Sequence, residues 1–277
     1  MDLIVNNDYL TEKLSDKGIL TTKFDESIPS VNSKPLSFSG RNGKIDFGAD
    51  YYEKKIFYEG YFYAHGQQDY ENLRNWLYQL MASGQAFYIT PLFDSDDMYA
   101  FERPGEKYGD AFTKRSMQVT SKKRFYVRLD ETFNPEFVGN INGRLLYKVS
   151  IEFVTAELPF GETSEKDYVV INNLIPYEGT ISCSQLEVPF YIEIVTKQSA
   201  NGIQLTIGDH KWTYTGAVST NDNFRLGGVY NTKNGISVND DTNYQFFILK
   251  PSANKKVSVN CSINATITIK KYKELFI

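Results

Sequence analysis

The sequence predicts a mainly β protein built from two domains, the first of which carries a single α-helix. One segment near residues 69–81 has helical periodicity and is flanked by aromatic, strand-like residues. The second half contains many short alternating segments separated by turn residues, which is typical of an antiparallel sandwich. The chain has 277 residues, 41% of them hydrophobic, which is enough material for two cores.

The first forty residues contain one predicted strand and one predicted loop. Residues 19–24 combine Ile, Leu, Thr and Phe, a composition that favours a strand. We interpret the segment from Pro29 to Pro35 as a loop, because proline lacks a backbone donor and restricts its neighbour. Gly40-Arg41-Asn42-Gly43 predicts a turn that precedes the main sheet region.

Residues 56–90 form a predicted strand–helix–strand unit. Strand-forming residues fill Ile56–Tyr63 and return at Ala86–Thr90. Asp69 is expected to cap the helix, and Gly84 is expected to end it in a left-handed conformation. The helix is expected to bury one stripe against the sheet, formed at positions i, i+3, i+4 and i+7 by Leu73, Trp76, Leu77 and Leu80.

The rest of the first half predicts further strands and then a break. Residues 124–129 are interpreted as an ordinary half-exposed strand rather than a nucleic-acid surface. Apolar and polar residues alternate over Tyr147–Val154, which indicates a strand with one buried face. Proline, glycine and charged residues follow. We therefore predict domains at 1–160 and 168–277, joined by a linker at about 159–167.

The second half shows no persuasive helical pattern. Its last strand candidate, Val257–Ile269, alternates apolar and polar residues throughout and is expected to be one long strand. Asn201-Gly202 and Asn234-Gly235 predict turns. The earlier strand candidates are Val188–Val195, Ile203–Ile207, Lys211–Tyr214, Gly235–Val238 and Tyr244–Leu249.

The sequence offers no catalytic constellation. Its two histidines, His65 and His210, fall in different predicted domains, which argues against a Ser–His–Asp triad or a multi-histidine metal site. His65 is interpreted as a turn residue. Cys183 and Cys261 are the only cysteines and are expected to be small buried side chains. We therefore predict that the protein is not an enzyme, with no catalytic residue, no metal and no cofactor.

Two segments allow a functional and a structural interpretation. Asp94-Ser95-Asp96-Asp97 offers carboxylates for a hard cation, but it lacks the glycine and terminal glutamate of a calcium loop, so a solvated acidic loop is favoured. Trp212 and Tyr214 alternate on one predicted strand. Both residues can form a solvent-exposed platform that stacks on carbohydrate, or they can pack in a core or interface, which is the favoured interpretation.

Charge and hydropathy restrict the partners. The formal net charge of −4 argues against nucleic-acid recognition, which needs a basic footprint. No apolar run approaches the roughly 18 residues of a membrane span, so no membrane insertion is expected. The start of the sequence lacks the features of a signal peptide. We therefore expect synthesis in a host cytoplasm.

The organisation of the chain resembles the distal tail proteins of phages with long flexible tails. In the first half the resemblance involves the turn Gly40–Gly43, the unit Ile56–Tyr63 with the helix Asp69–Met81, and the segments Leu20–Phe24, Phe87–Pro91, Met98–Ala100 and Tyr147–Val154. In the second half it involves Phe246–Ile269 and the following Lys270-Lys271-Tyr272. The polar stretch Glu102–Lys114 is interpreted as an arm or a hairpin insertion.

The resemblance implies a fold, an assembly and a location. Residues 1–160 would form a β-sandwich with a helix, six copies of which make a ring at the distal end of the tail tube. Residues 168–277 would form a galectin-like or carbohydrate-module-like sandwich that points outward. The implied partners are other copies of the chain, the tail tube protein, and a tail-associated lysin or fibre or receptor-binding protein. The implied location is the tip of the virion tail. The alternative function is a carbohydrate-binding module that contacts the host surface.

Overall fold

The computed structural model describes residues 1–82, 84–94 and 118–277. The chain divides into two compact units, Met1–Gly161 and Glu162–Ile277. Both are built mainly from antiparallel strands, and the described residues contain a single α-helix, in the first unit. The predicted mainly β fold class is therefore confirmed. The acidic residues after Asp94, the segment Met98–Ala100 and the polar stretch Glu102–Lys114 lie outside the described residues.

The first unit is a large antiparallel sheet with a helix and a separate hairpin. Its elements are β1 (Asp2–Asn6), β2 (Thr11–Lys13), β3 (Leu20–Glu26), β4 (Val31–Leu36), β5 (Ile45–Tyr51), β6 (Lys55–Ala64), α1 (Gln67–Met81), β7 (Phe87–Asp94), β8 (Gln118–Thr120), β9 (Phe125–Leu129), β10 (Glu136–Ile141) and β11 (Arg144–Thr155). The described sheet runs in the order β2-β1-β7-β9-β11-β6-β3, with β10 on β11 and β8 on β7. Among the described strands, β4 and β5 pair only with each other.

The long pair β6–β11 forms the centre of the first unit. Its register runs from Leu145 opposite Ala64 to Val154 opposite Lys55. Inward side chains of these strands meet those of β1 and β9 in one core, so the sheet curves around a common interior. The rings of Phe87 and Phe153 lie edge to face with centroids 6.0 Å apart.

The helix α1 begins two residues earlier than predicted. Its N-cap is Gly66, which makes no side-chain capping bond. Asp69 lies inside the first turn, where its carboxylate accepts a hydrogen bond from the backbone N–H of His65. The prediction that Asp69 is the N-cap is wrong, although its charge still suits the helix N-terminus. The helix ends at Met81 with Ala82 as the C-cap, and Gly84 does not adopt a positive φ.

The buried face of α1 is shifted relative to the predicted stripe. Leu77 and Leu80 are fully buried as expected, but Leu73 and Trp76 are only partly buried. The ammonium group of Lys17 lies 5.8 Å from the centroid of the Trp76 ring. The ring of Tyr70 fills the remaining space and stacks on Tyr147 at 4.2 Å. The prediction that Trp76 is a core residue therefore holds only for part of its ring.

We expect Leu77→Ala to destabilise the first unit by about 2–5 kcal/mol, because it empties a fully buried site in the core. Trp76→Ala is expected to cost less than the roughly 3–5 kcal/mol of a buried tryptophan, because the ring keeps water contact. Urea unfolding of the first unit, monitored by hydrogen exchange of β6 and β11, measures the stability loss of both variants. A larger loss for Trp76→Ala than for Leu77→Ala would contradict this packing.

The second unit is a sandwich of two antiparallel sheets. Its strands are β13 (Lys166–Val169), β14 (Leu174–Pro176), β15 (Cys183–Ser184), β16 (Tyr191–Thr196), β17 (Ile203–Ile207), β18 (His210–Tyr214), β19 (Asn223–Leu226), β20 (Asn231–Lys233), β21 (Ile236–Ser237), β22 (Ile248–Leu249), β23 (Lys256–Cys261), β24 (Ala265–Tyr272) and β25 (Leu275–Phe276), after a short β12 (Gly161–Glu162) at the division. One sheet runs β13-β24-β16-β19-β20-β21 and the other β14-β23-β17-β18.

The last long strand predicted from the sequence is two strands. Strand β23 belongs to the smaller sheet and β24 to the larger one. The chain crosses between the sheets at residues 262–264, so the single strand Val257–Ile269 is wrong even though its apolar residues Val257, Val259, Ile267 and Ile269 all face the core. The predicted strand Ile203–Ile207 and the turn at Asn234-Gly235 are confirmed, since both turn residues have positive φ between β20 and β21.

Candidate assembly surfaces

A two-stranded arm is a highly exposed part of the first unit. We define the arm as residues 31–51, which comprise β4, β5 and the turn between them. Every residue of β4 is exposed, and on β5 only Ile45 is half-buried. Gly40 and Gly43 adopt positive φ in the turn, as the sequence predicts. The predicted loop between Pro29 and Pro35 is wrong, because most of it forms β4.

The arm continues the β3–β6 ladder out of the body. At its root, Ser27 donates its backbone N–H to Lys55, and the backbone N–H of Ser30 bonds to Glu53 at 2.7 Å. Beyond these bonds the arm pairs only with itself, from Val31 opposite Tyr51 to the turn. The six residues of β4 extend about 20 Å at about 3.3 Å per residue. The turn therefore lies roughly that far from the root.

The arm exposes apolar side chains instead of burying them. Phe47 is 64% exposed and Phe38 is 51% exposed, and both lie near the turn. Arg41 and Lys44 add two positive charges to the same end. An exposed pair of strands with apolar side chains tends to pair or pack with another chain. The tip of the arm thus has the exposed strands and apolar side chains that are typical of a protein–protein contact surface.

An ion-pair network fixes the root of the arm. The ammonium group of Lys54 is almost fully buried, and it bonds to the carboxylate of Glu26 at 2.5 Å. Lys123 bonds to the other oxygen of Glu26. Burial alone would raise the pKa of the Glu26 carboxyl, but hydrogen bonds and charges from Lys123 and Lys54 outweigh burial and lower the pKa below its ordinary value of 4.5.

We expect Glu26→Gln to destabilise the first unit by about 3 kcal/mol at pH 7, because it leaves the buried Lys54 charge without a counter-ion. Since the folded pKa of Glu26 is lowered, its contribution is present above about pH 4.5 and is lost as the pH falls through the folded value. Unfolding free energies of the native chain and the variant should therefore converge in acid. Asp50→Asn is the control, because the exposed pair Lys34–Asp50 should change stability by less than about 1 kcal/mol.

A small groove lies on the outer face of the sheet. It has a volume of about 250 Å³ and lies between β3, β6, β11 and the loop after β9. Phe57 and Phe133 line it together with the polar residues Thr132 and Ser150, and the core residues Tyr58 and Ile151 lie at its wall. The charged lining residues are Lys23, Glu59, Glu131 and Glu152. Lys148 pairs with Glu59 at 3.0 Å, and Lys55 pairs with Glu152 at 2.7 Å. The groove therefore combines apolar and charged residues, and three of its four charged lining residues are glutamates.

A second exposed apolar edge is formed by β10. Phe137, Val138 and Ile141 are each about half exposed on this strand. Strand β10 pairs with β11 on one side, and no other described strand pairs with it. Among the described residues its opposite edge is unpaired, and an unpaired strand edge of this kind can pair with another protein chain.

Trp212 and Tyr214 lie in the core of the second unit. Trp212 is completely buried and Tyr214 is 7% exposed. Both rings contact Phe224 of the facing sheet, with centroids 6.1 and 5.2 Å away. The prediction that these residues form a solvent-exposed platform is wrong, because their strand turns this face toward the other sheet. The packing interpretation is the correct one.

The two histidines and the two cysteines singled out in the sequence lie in structural positions. His65 is exposed in a bend before α1, as predicted, and Nδ1 of His210 shares a hydrogen bond with Gln245 at 3.0 Å. Cys183 is buried, and burial raises the pKa of its thiol to about 12, whereas Cys261 is only half-buried. The described residues contain no group of His, Cys, Asp and Glu that could hold a metal ion. Within this part of the chain, no helix is long and apolar enough to cross a membrane.

Sequence reasoning missed the arm and the groove. The signal for the arm is present, since Phe38 and Phe47 flank the Gly40–Gly43 turn and Pro35 is tolerated at a strand edge. The groove gives no local signal, because its walls come from β3, β6 and β11 and meet only in the fold.

The described part of the first unit is a β-rich body with an exposed arm and an exposed apolar strand, a kind of surface that often pairs or packs with another protein chain. Comparison of the sequence with family models identifies the class of protein. Residues 13–155, which are 143 of the 277 residues, match the family described as the phage tail protein RIFT-related domain. The chain belongs to this family and is a phage tail protein.

Solved structures extend the likeness over the whole chain. The crystal structure of the Dit (gp 19.1) protein of phage SPP1, described as a paradigm of the hub adsorption apparatus of phages infecting Gram-positive bacteria, is 14% identical and has a TM-score of 0.63. The match covers 100% of this chain and 99% of Dit, and at this identity it shows a shared fold.

Two weaker matches are baseplate structures of phage p2 in the activated conformation, determined with strontium and with calcium. They are 9% and 8% identical, cover 98% of both chains, and have TM-scores of 0.38 and 0.37, which are too low to indicate a shared fold. A comparison of the sequence with curated proteins gives no significant match.

Proposed function

We propose that the protein is a distal tail protein that forms a closed ring, with six copies, at the end of the tail tube. The ring would serve as the hub that carries tail-tip or receptor-binding components. The observation that carries this proposal is the likeness to SPP1 Dit over the full length of the chain. Membership of the phage tail family supports it independently over residues 13–155.

The physical requirements of a ring agree with the surfaces of the first unit. A closed ring is heterologous, so each copy needs two different complementary patches. The arm supplies one patch, with exposed Phe38 and Phe47. The rest of the unit supplies the other. Residues 1–160 would thus form the ring.

The role is structural, at the tip of the virion tail after synthesis in the host cytoplasm, and involves no catalysis. The expected partners are other copies of the chain, the tail tube protein, and a tail-associated lysin, fibre or receptor-binding protein. The alternative of a carbohydrate-binding module in residues 168–277 requires residues other than Trp212 and Tyr214, because both are buried.

Native mass spectrometry of the full chain tests the ring. The chain has a mass of 31.7 kDa, so six copies give about 190 kDa. We expect this species to grow with protein concentration and to appear as annular particles in negative stain. A strict monomer at about 100 µM, both alone and in the presence of purified tail tubes, would contradict the proposal.

A further inference from the structure

We propose that the groove on the outer face of the first unit receives the tip of the arm from a neighbouring copy. The tip comprises the turn with Phe38, Arg41, Lys44 and Phe47, and the groove is the one between β3, β6, β11 and the loop after β9. This inference rests on the proposed ring and identifies the two patches that would join its subunits.

The size of the groove suits a protein side chain. Its volume of about 250 Å³ is below the roughly 300–1,000 Å³ of typical small-molecule pockets. Its lining includes Phe57 and Phe133, and Phe57 is 38% exposed. A groove of this size, with both aromatic and charged residues in its lining, accommodates one aromatic side chain, and the tip of the arm exposes two, Phe38 and Phe47.

The charges of the two surfaces are complementary. The groove lining carries three glutamates and one lysine. Lysines of the same face already pair with Glu59 and Glu152, but Glu131 is exposed and has no ion pair among the described residues. The arm offers Arg41 and Lys44 beside its exposed aromatic residues. Complementary rim charges of this kind fix orientation and partner choice around an apolar contact.

The occupant is a second copy and not the chain's own arm. The groove is lined by Lys23 and Glu59, which lie on the body side of the arm root, whereas the arm extends about 20 Å away from that root. Returning the tip to its own groove would break the ladder between Val31 and Tyr51. Insertion into a neighbouring copy leaves that ladder intact and gives the head-to-tail contact that a ring needs.

Cross-linking of two separately prepared variants tests the contact. Phe38→Cys in one preparation and Glu131→Cys in another are mixed and treated with a short bismaleimide. We expect a product of two chains, about 63 kDa, at least tenfold more abundant than with Glu157→Cys, an exposed glutamate of the same unit outside the groove. The native chain alone measures the thiol background of Cys183 and Cys261, and burial raises the pKa of both thiols, which lowers their reactivity.

Charge reversal gives an independent readout. Arg41→Glu with Lys44→Glu, and separately Glu131→Lys, should each weaken assembly at least tenfold, and mixing the two variants should restore part of it. If the native chain assembles but the Glu131→Cys product does not exceed the Glu157→Cys control, the groove is not the acceptor, although the ring stands. If the native chain does not assemble at all, the ring and this contact both fail.

Discussion

Replacing residues 33–49 of the arm with a four-residue Gly-Ser linker is expected to abolish ring formation and leave the first unit folded. The arm exposes almost all of its side chains, so its removal takes little apolar surface out of the core. The substitution keeps the root, where Val31 pairs with Tyr51 and the ring of Tyr51 contacts Phe160 at 5.6 Å. The loss would therefore fall on assembly and not on stability.

Two measurements separate these effects. At concentrations where the native chain assembles, native mass spectrometry of the variant should show only a monomer. Its mass is that of the native chain, 31.7 kDa, reduced by the residues that the linker replaces. The unfolding free energy of the first unit should change by less than about 1 kcal/mol. Arg144→Glu, at the exposed tip of the β10–β11 hairpin, is the control for a surface change elsewhere. A ring that forms without the arm would exclude the arm as a required patch.

Trp212→Ala is expected to destabilise the second unit by about 3–5 kcal/mol. Trp212 is the largest fully buried side chain of the described residues and lies between the two sheets. Its removal leaves a cavity beside Phe224 and Tyr214. This cavity cannot collapse unless β18 or β19 moves. The effect would be one of packing, in contrast to the small effect expected of an exposed sugar-stacking residue.

Hydrogen exchange of β16 and β24, measured by mass spectrometry in increasing urea, reports on the second unit without a fluorescent probe. Protection should be lost at a clearly lower urea concentration in Trp212→Ala. Lys211→Ala, an exposed neighbour on the same strand, should behave as the native chain. A stable Trp212→Ala variant that loses carbohydrate binding would reverse the assignment of this residue to the core.

The sequence predicts those elements whose side chains repeat with a clear period and are buried by local neighbours. Strand β17 is of this kind, because the residues that define its pattern are also those that pack. Helix α1 is of this kind only in part, since Leu77 and Leu80 of its predicted stripe are buried but Leu73 and Trp76 are only partly buried. The predicted start of α1 is wrong because Asp69 is a typical N-cap residue type, whereas in the structure its carboxylate accepts a hydrogen bond from the backbone N–H of His65 from inside the first turn. The resemblance to phage distal tail proteins, together with the order of predicted strands and helix, predicted that the chain is a phage tail protein.

Tertiary contacts explain what the sequence does not reveal. The alternation of residues 257–269 continues across the change of sheet, so the pattern hides the break at residues 262–264. Aromatic residues on a strand look alike whether they face solvent or another sheet, which is why Trp212 permitted two interpretations. The apolar residues of the arm would be expected to be buried, yet they are exposed in the single chain. In the proposed ring, a second copy would cover them.

Gold labelling of assembled virions tests the central claim most directly. A tag at the C-terminus of this chain, detected by tag-specific gold in electron micrographs of intact particles, should place the gold at the tail end opposite the head, clustered at one level. Label spread along the tail tube, or located at the junction of head and tail, would contradict a hub at the distal end.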